Sequence, residues 1–153
     1  MEVRIASTTF DPQAETAAFA AGRSEMGALA SFVGLCRDRH DGQVVEELFL
    51  DHYPGFTQDE IGRICNDIAG RFGCPDILVI HRVGRIMPGE AIVLVAALSQ
   101  HRNGAFEAVR MLMDYLKTDA PLWKRETGPD GVRWIEPRAE DLARRAGAEG
   151  AIV

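Results

Sequence analysis

The chain has 153 residues and a formal net charge of −6. Its 46% apolar and 26% charged content fits a soluble globular domain that can bury a core without a metal or disulfide staple. An acidic chain lacks the broad basic face that phosphate-backbone binding needs; this disfavours general nucleic-acid binding but leaves room for a local basic pocket. The three cysteines, Cys36, Cys65 and Cys74, form no CxxC pair and no secreted disulfide framework. The four histidines are scattered, with no HExxH or His/Cys cluster, so no metal or other cofactor is expected. No basic-then-apolar segment opens the chain. Its longest apolar stretch, 91–98, is too short to span a bilayer, so a cytoplasmic location is expected. No repeat or linker divides the chain: one domain is predicted over 1–138, then a charged tail over 139–153, partly helical or frayed.

In chain order, residues 3–6 predict a first strand. Asp11-Pro12 predicts an N-cap and a proline at the first helical position, opening a helix to about residue 21. The mostly apolar run 27–35 predicts a strand, the polar segment 36–43 a loop, and 44–52 another strand. Thr57 followed by Glu60 three residues later reads as a capping box. The helix it opens carries Ile61, Ile64, Ile68 and Phe72 on one face and stops at Gly73. Strands are predicted over 77–83 and 91–98, with a turn at 87–90. A second strong helix spans 101–118, with Phe106, Val109, Met113 and Leu116 as its core stripe. Residues 124–126 and 132–135 pair as a hairpin around 127–131. Several strands follow one another without an intervening helix, so the fold class is α+β with a mixed or antiparallel sheet.

The basic residues are unevenly chosen: only Lys117 and Lys124 among the 17 are lysine, and the rest are arginine. Lysine can serve as acid, base or nucleophile where arginine cannot. Lys117 also suits a helix C-terminus for dipole reasons alone, and Lys124 suits a surface beside Trp123. His101 and Arg102 sit where a helix begins. Cations are locally unfavourable there unless an anion binds between them; the alternative is a solvated loop. The stretch from Phe32 to His40 ends a strand in a loop with Arg37, Arg39 and His40. Such a loop suits a phosphate or carboxylate, or is simply solvated. Cys36 fits a nucleophile beside basic groups or a small buried hydrophobe. His81 and Arg82 face opposite ways in an alternating strand, so at most one joins any given site. GxSxG, the P-loop and GxGxxG are all absent.

Taken together, FVGLCR at 32–37, HRVG at 81–84, PGE at 88–90, SQHRNGAFEA at 99–108, MDYLKTDAPLWKRE at 113–126 and RWIE at 133–136 resemble the large, catalytic subunit of molybdopterin synthase. The likeness runs from about residue 2 to about residue 138. It implies an α/β-hammerhead-type fold with a small additional antiparallel piece. It implies sulfur transfer from the C-terminal thiocarboxylate of a small ubiquitin-like Gly-Gly subunit to cyclic pyranopterin monophosphate, forming the dithiolene of molybdopterin. The implied assembly is a heterotetramer built on a dimer of large subunits. Lys117 and Lys124 are the implied catalytic residues. Arg37, His101 and Arg102 are implied to hold the phosphate, the last two from the other large subunit. Arg125 and Glu126 would flank the pocket, with Phe32, Leu35, Cys36 and Arg138 as further substrate-binding positions. Arginines crowding the lysines would disfavour their protonation. Asp119 sits between the lysines as an unexplained negative charge. Two rival readings remain: a non-catalytic module that captures the tail of a ubiquitin-like protein, and a stand-alone phosphate-ester hydrolase.

Overall fold

The computed structural model of the chain describes residues 1–137 and 139–150. β1 (Glu2–Ala6) leads to α1 (Pro12–Ala20). Asp11 caps α1 as predicted: its carboxylate accepts from the N–H groups of Gln13 and Ala14 at 2.9 and 3.2 Å. β2 (Ala28–Leu35) follows. The predicted loop over 36–43 instead holds part of a hairpin, β3 (Arg39–His40) and β4 (Gln43–Val44). Its two-residue loop, Asp41-Gly42, has φ of 50° and 79°. Both values are positive, as a tight hairpin turn requires, and Asp-Gly is a residue pair that tolerates them. The predicted strand 44–52 is broken at Val45-Glu46, whose N–H groups turn to the carbonyls of Asp38 and Thr127. It resumes as β5 (Glu47–His52).

α2 (Phe56–Phe72) buries Ile61, Ile64 and Ile68 as predicted and ends at Gly73 in the left-handed conformation. Its start differs. Gly55, at φ 81°, is the N-cap, and Thr57 lies inside the first turn, fully buried. The capping box is therefore not formed. The Thr57 hydroxyl accepts from the Tyr53 N–H and donates to the Pro121 carbonyl, both at 3.0 Å. Tertiary bonds outcompete the local motif.

β6 (Asp76–Arg82) is followed by β7 (Gly84–Ile86), which periodicity did not indicate. Gly84, at φ 76°, lets the chain leave one sheet and join the other within two residues. β8 (Ala91–Ser99) is buried over its last seven residues, as its unbroken apolar run demands. α3 (Arg102–Thr118) buries Ala105, Ala108, Val109, Leu112 and Leu116, but Phe106 is 63% exposed. The predicted stripe is thus rotated. Small residues at 104, 105 and 108 let α3 approach the sheet closely, and that turns Phe106 outward. β9 (Leu122–Gly128) and β10 (Gly131–Ile135) form the predicted hairpin, pairing Lys124 with Ile135 and Glu126 with Arg133. α4 (Ala139–Gly150) then lies along α3.

The first sheet has the order β1-β6-β8-β2, with β1 and β6 parallel and the other pairs antiparallel. One of its faces carries the main core beneath α2 and α3; the other packs Leu78, Ile80, Leu94 and Ala96 against Phe10 and Phe19. The second sheet, β10-β9-β5-β7, is wholly antiparallel. Leu48, Leu50, Ile86 and Cys36 form its small core. The architecture is α+β, as expected, and the second sheet is the additional β piece.

Candidate functional site

Residues paired directly across an antiparallel ladder share a face, and neighbours along a strand alternate. Lys124 pairs with Leu50, and Glu126 with Leu48. Both therefore lie on the inner face of the second sheet, above its core. Arg125 pairs with Phe49 and Trp134, on the outer face. Its guanidinium stacks over Phe49 at 4.6 Å and Trp134 at 5.7 Å. The expected grouping of Arg125 with Glu126 beside one pocket is not what the strand builds: period-two alternation sends them to opposite sides.

Glu126 is the hub of the inner face. Its side chain is only 4% exposed, so the carboxylate must be satisfied by protein groups. His40 Nδ1 lies 3.0 Å from Oε2, Arg133 Nη2 lies 3.3 Å from the same oxygen, and Lys124 Nζ lies 3.6 Å from Oε1. The charge beside Lys124 is thus a buried carboxylate, not the crowd of arginines expected. Lys124 itself is about one-third exposed, so its amine can reach both Glu126 and solvent.

Cys36 approaches this hub from the end of β2. A register shift at Gly34/Leu35 ends the β2 ladder. Cys36 then exchanges backbone hydrogen bonds with the turn after β7: its N–H donates to Glu90 O at 2.9 Å, and its carbonyl accepts from Gly89 N–H at 2.7 Å. Arg82 braces that turn from below, with Nη1 3.5 Å from Glu90 Oε2 and Nη2 donating to Arg85 O at 2.9 Å. His81 and Arg82 are both buried structural groups and do not line an open surface. Leu35, Cys36, Arg37, Asp38, Arg39, Pro88 and Gly89 surround a concavity of about 620 Å³. Burial pushes the Cys36 thiol up, and the carboxylates of Glu126 and Glu90 add to this against the charge of Lys124. Such a thiol packs as a hydrophobe and does not attack.

Lys117 belongs to the same end of the molecule. Only Gln100 and His101 link β8 to α3, so the helix must double back along the strand. Its 17 residues span about 24 Å, close to the length of β8. The last turn of α3 therefore returns to the end where Leu35 pairs with Ala91. His101 and Arg102 lie at the opposite end, where Ala28 pairs with Ser99. β2 separates the two ends by about 23 Å. His101 opens onto a different concavity of about 730 Å³, lined by Phe72, Gly73, Cys74 and Pro75 among others. Both residues are exposed and neither caps the helix with its side chain. Phe32 is 42% exposed on β2, on the face that carries Ala30 and Gly34. Asp119 is the C-cap of α3. Arg138 lies outside the described residues.

The expected residues thus gather as two groups: Lys117, Lys124, Glu126, Leu35, Cys36 and Arg37 at one end, and His101 with Arg102 at the other. Sequence reasoning missed the roles of His40 and Arg133. The usable signal for His40 was Asp41-Gly42, whose tight turn closes the β3–β4 hairpin that carries it. For Arg133 it was the cross-strand register of the β9–β10 hairpin. Among the described residues no group of three or more His, Cys, Asp or Glu side chains is placed to hold a metal, and no helix is long and apolar enough to cross a membrane.

Fold and site together define a class: an α+β protein whose half-buried lysine lies beside a buried carboxylate, at the end of the molecule that carries an arginine-lined concavity. The family described as MoaE protein matches residues 5–119, and the chain belongs to that family. It is 49% identical over 141 residues to the molybdopterin synthase catalytic subunit of Caulobacter vibrioides, covering 92% of this chain and 93% of that one. It is 47% identical over 139 residues to the subunit of the same name from Ralstonia nicotianae, covering 91% and 79%. Among solved structures, the molybdopterin biosynthesis MoaE protein of Burkholderia ambifaria superposes with a TM-score of 0.79 at 42% identity, covering 99% of this chain and 98% of that one.

Proposed function

We propose that the chain is the catalytic subunit of a molybdopterin synthase, an enzyme of molybdenum cofactor biosynthesis. It transfers sulfur from the C-terminal thiocarboxylate of a small ubiquitin-like subunit to cyclic pyranopterin monophosphate. The observation that carries this reading is the placement of Lys124, about one-third exposed beside buried Glu126 at the end of the molecule where Cys36 and Arg37 line a concavity, in a chain 49% identical to an enzyme of that name. Phosphate and thiocarboxylate are both anionic, so the site must gather cations. Arg37 binds the phosphate. Lys117 and Lys124 meet the thiocarboxylate and move the protons that sulfur addition and loss of water require. The sulfur arrives on the partner, so no nucleophilic cysteine is needed.

The 23 Å separation along β2 supports an assembly in which His101 and Arg102 complete the site of a second copy. The whole is then a heterotetramer, with one small subunit on each large one. Leu35 and Phe32 border the same substrate space. The three buried, unpaired cysteines accord with a reducing cytoplasm.

The decisive experiment incubates the chain with thiocarboxylated small subunit and cyclic pyranopterin monophosphate, then follows the pterin by mass spectrometry. The product should gain two sulfur atoms. Lys117→Ala and Lys124→Ala should bind the small subunit but lose nearly all turnover. Mixing inactive Arg37→Ala with inactive Arg102→Ala chains should restore activity through hybrid dimers. Complex formation without sulfur transfer by the unaltered chain would favour a non-catalytic tail-binding module.

A further inference from the structure

His40 lies on β3, outside the strand that carries the lysine, yet it makes the one hydrogen bond to the Glu126 side chain among the described residues. The Arg133 contact to Oε2 is an ion-pair approach only: Nη2 is buried without a hydrogen-bond partner. Lys124 approaches Oε1 at 3.6 Å, also beyond good hydrogen-bond range. His40 is itself 90% shielded, so this bond is not a surface accident.

We propose that His40 is a positioning residue for Lys124. By donating to Oε2 it holds Glu126 in the orientation that keeps Oε1 near, but not closed upon, the lysine amine. Glu126 faces His40 from β9, and Lys124 from β9 and Arg133 from β10 approach the same carboxylate. Asp41, in its own turn, lies 3.5 Å from Nε2. With both ring nitrogens facing carboxylates, a neutral imidazole can donate to only one of them. Donation to the buried Glu126 carboxylate carries the larger desolvation penalty if lost, because Asp41 is 78% exposed and water can serve it. Without the His40 donor, Oε2 loses its hydrogen bond, and the carboxylate is free to turn and close on the cations beside it, Lys124 at 3.6 Å and Arg133 at 3.3 Å. His40 thus keeps the amine available for reaction.

The inference deepens the proposed function, but its first test does not depend on it. The chain has only two lysines, so acylation by a water-soluble acetyl ester can be read separately at Lys124 and Lys117 by mass spectrometry, with Lys117 as internal reference. In His40→Ala the Lys124/Lys117 labelling ratio near neutral pH should fall by about threefold or more. In His40→Gln, whose amide can donate in place of Nδ1–H, the ratio should recover. An unchanged or raised ratio in His40→Ala overturns the proposal. Should that variant fail to fold, His40→Phe in the same assay replaces it.

The second test is turnover with thiocarboxylated small subunit. His40→Ala should lose about tenfold or more in kcat, in line with the cost of small misplacements of a reacting group, while half-saturation by the small subunit stays constant. The pH profile of kcat should change shape in His40→Ala and not merely scale. An unaltered chain that yields no sulfurated pterin would refute the proposed function, and the labelling ratio would still decide the role of His40.

Discussion

Thr57→Val tests the link between α2 and the segment joining the two lysines. Valine keeps the shape of threonine but can neither accept from the Tyr53 N–H nor donate to the Pro121 carbonyl. Both bonds measure 3.0 Å, and the Thr57 side chain is fully buried. An orphaned buried polar group costs about 1–3 kcal/mol. Each backbone partner is only partly shielded, so the lower part of that range applies, and the pair amounts to about 2–3 kcal/mol. For a chain of this size that is a fall in Tm of about 4–12 °C. Urea unfolding followed by the fluorescence of Trp123 and Trp134 would measure it. Thr57→Ser, which keeps the hydroxyl, should lose much less. Pro121 lies between Lys117 and Lys124, so turnover should fall with stability in the valine variant. A Thr57→Val chain within about 0.5 kcal/mol of the unaltered protein would refute the reasoning, because ordinary surface substitutions fall in that range.

His81 is buried with Nδ1 2.8 Å from the Arg82 carbonyl, and burial holds its pKa below the ordinary 6.5. The unfolded chain therefore binds a proton that the folded chain refuses as pH drops below about 6.5, so stability is lost toward acid. His81→Gln should flatten that limb in urea titrations run from pH 7 to pH 5. Burial pushes the Cys65 thiol up to about 12, so iodoacetamide at pH 8 should leave it unmodified in the folded protein and modify it in urea. Rapid native labelling at Cys65 would contradict its burial. Gly104→Ala should destabilise despite the better helix propensity of alanine, worth about 1 kcal/mol. Its Cβ would come within 2.5 Å of the Phe72 carbonyl oxygen and 2.8 Å of Ser99 Oγ, overpacking that costs about 1–3 kcal/mol. A raised Tm would show that α3 can shift.

Much of the fold was legible because its causes are local. Asp11-Pro12 begins α1, the spacing of Ile61, Ile64 and Ile68 sets the buried face of α2, and the apolar run of β8 follows from burial on both sides. The errors have physical reasons too. Thr57 and Glu60 have capping-box spacing, but the Thr57 hydroxyl serves the Tyr53 N–H and the Pro121 carbonyl instead. Phe106 has core periodicity, but the small residues Gly104, Ala105 and Ala108 decide which face of α3 meets the sheet.

The site divides along the same line. Sequence alone determined which residue types were available: two lysines in an arginine-rich set, an Arg37 loop, and a His-Arg pair at a helix start, in an order that resembles one family. Alternation along β9 was also implicit in it, and with that the separation of Arg125 from Lys124. Only the tertiary structure decided that Glu126 would be the buried partner of Lys124, and that His40, 86 residues away in the chain, would be its hydrogen-bond donor. Only the sheet register shows that Arg37 and Arg102 lie at opposite ends of one strand. Helix and strand periodicities describe contacts a few residues apart; ladder register and a buried charge hub arise from pairings far apart in the chain, which no short-range pattern encodes.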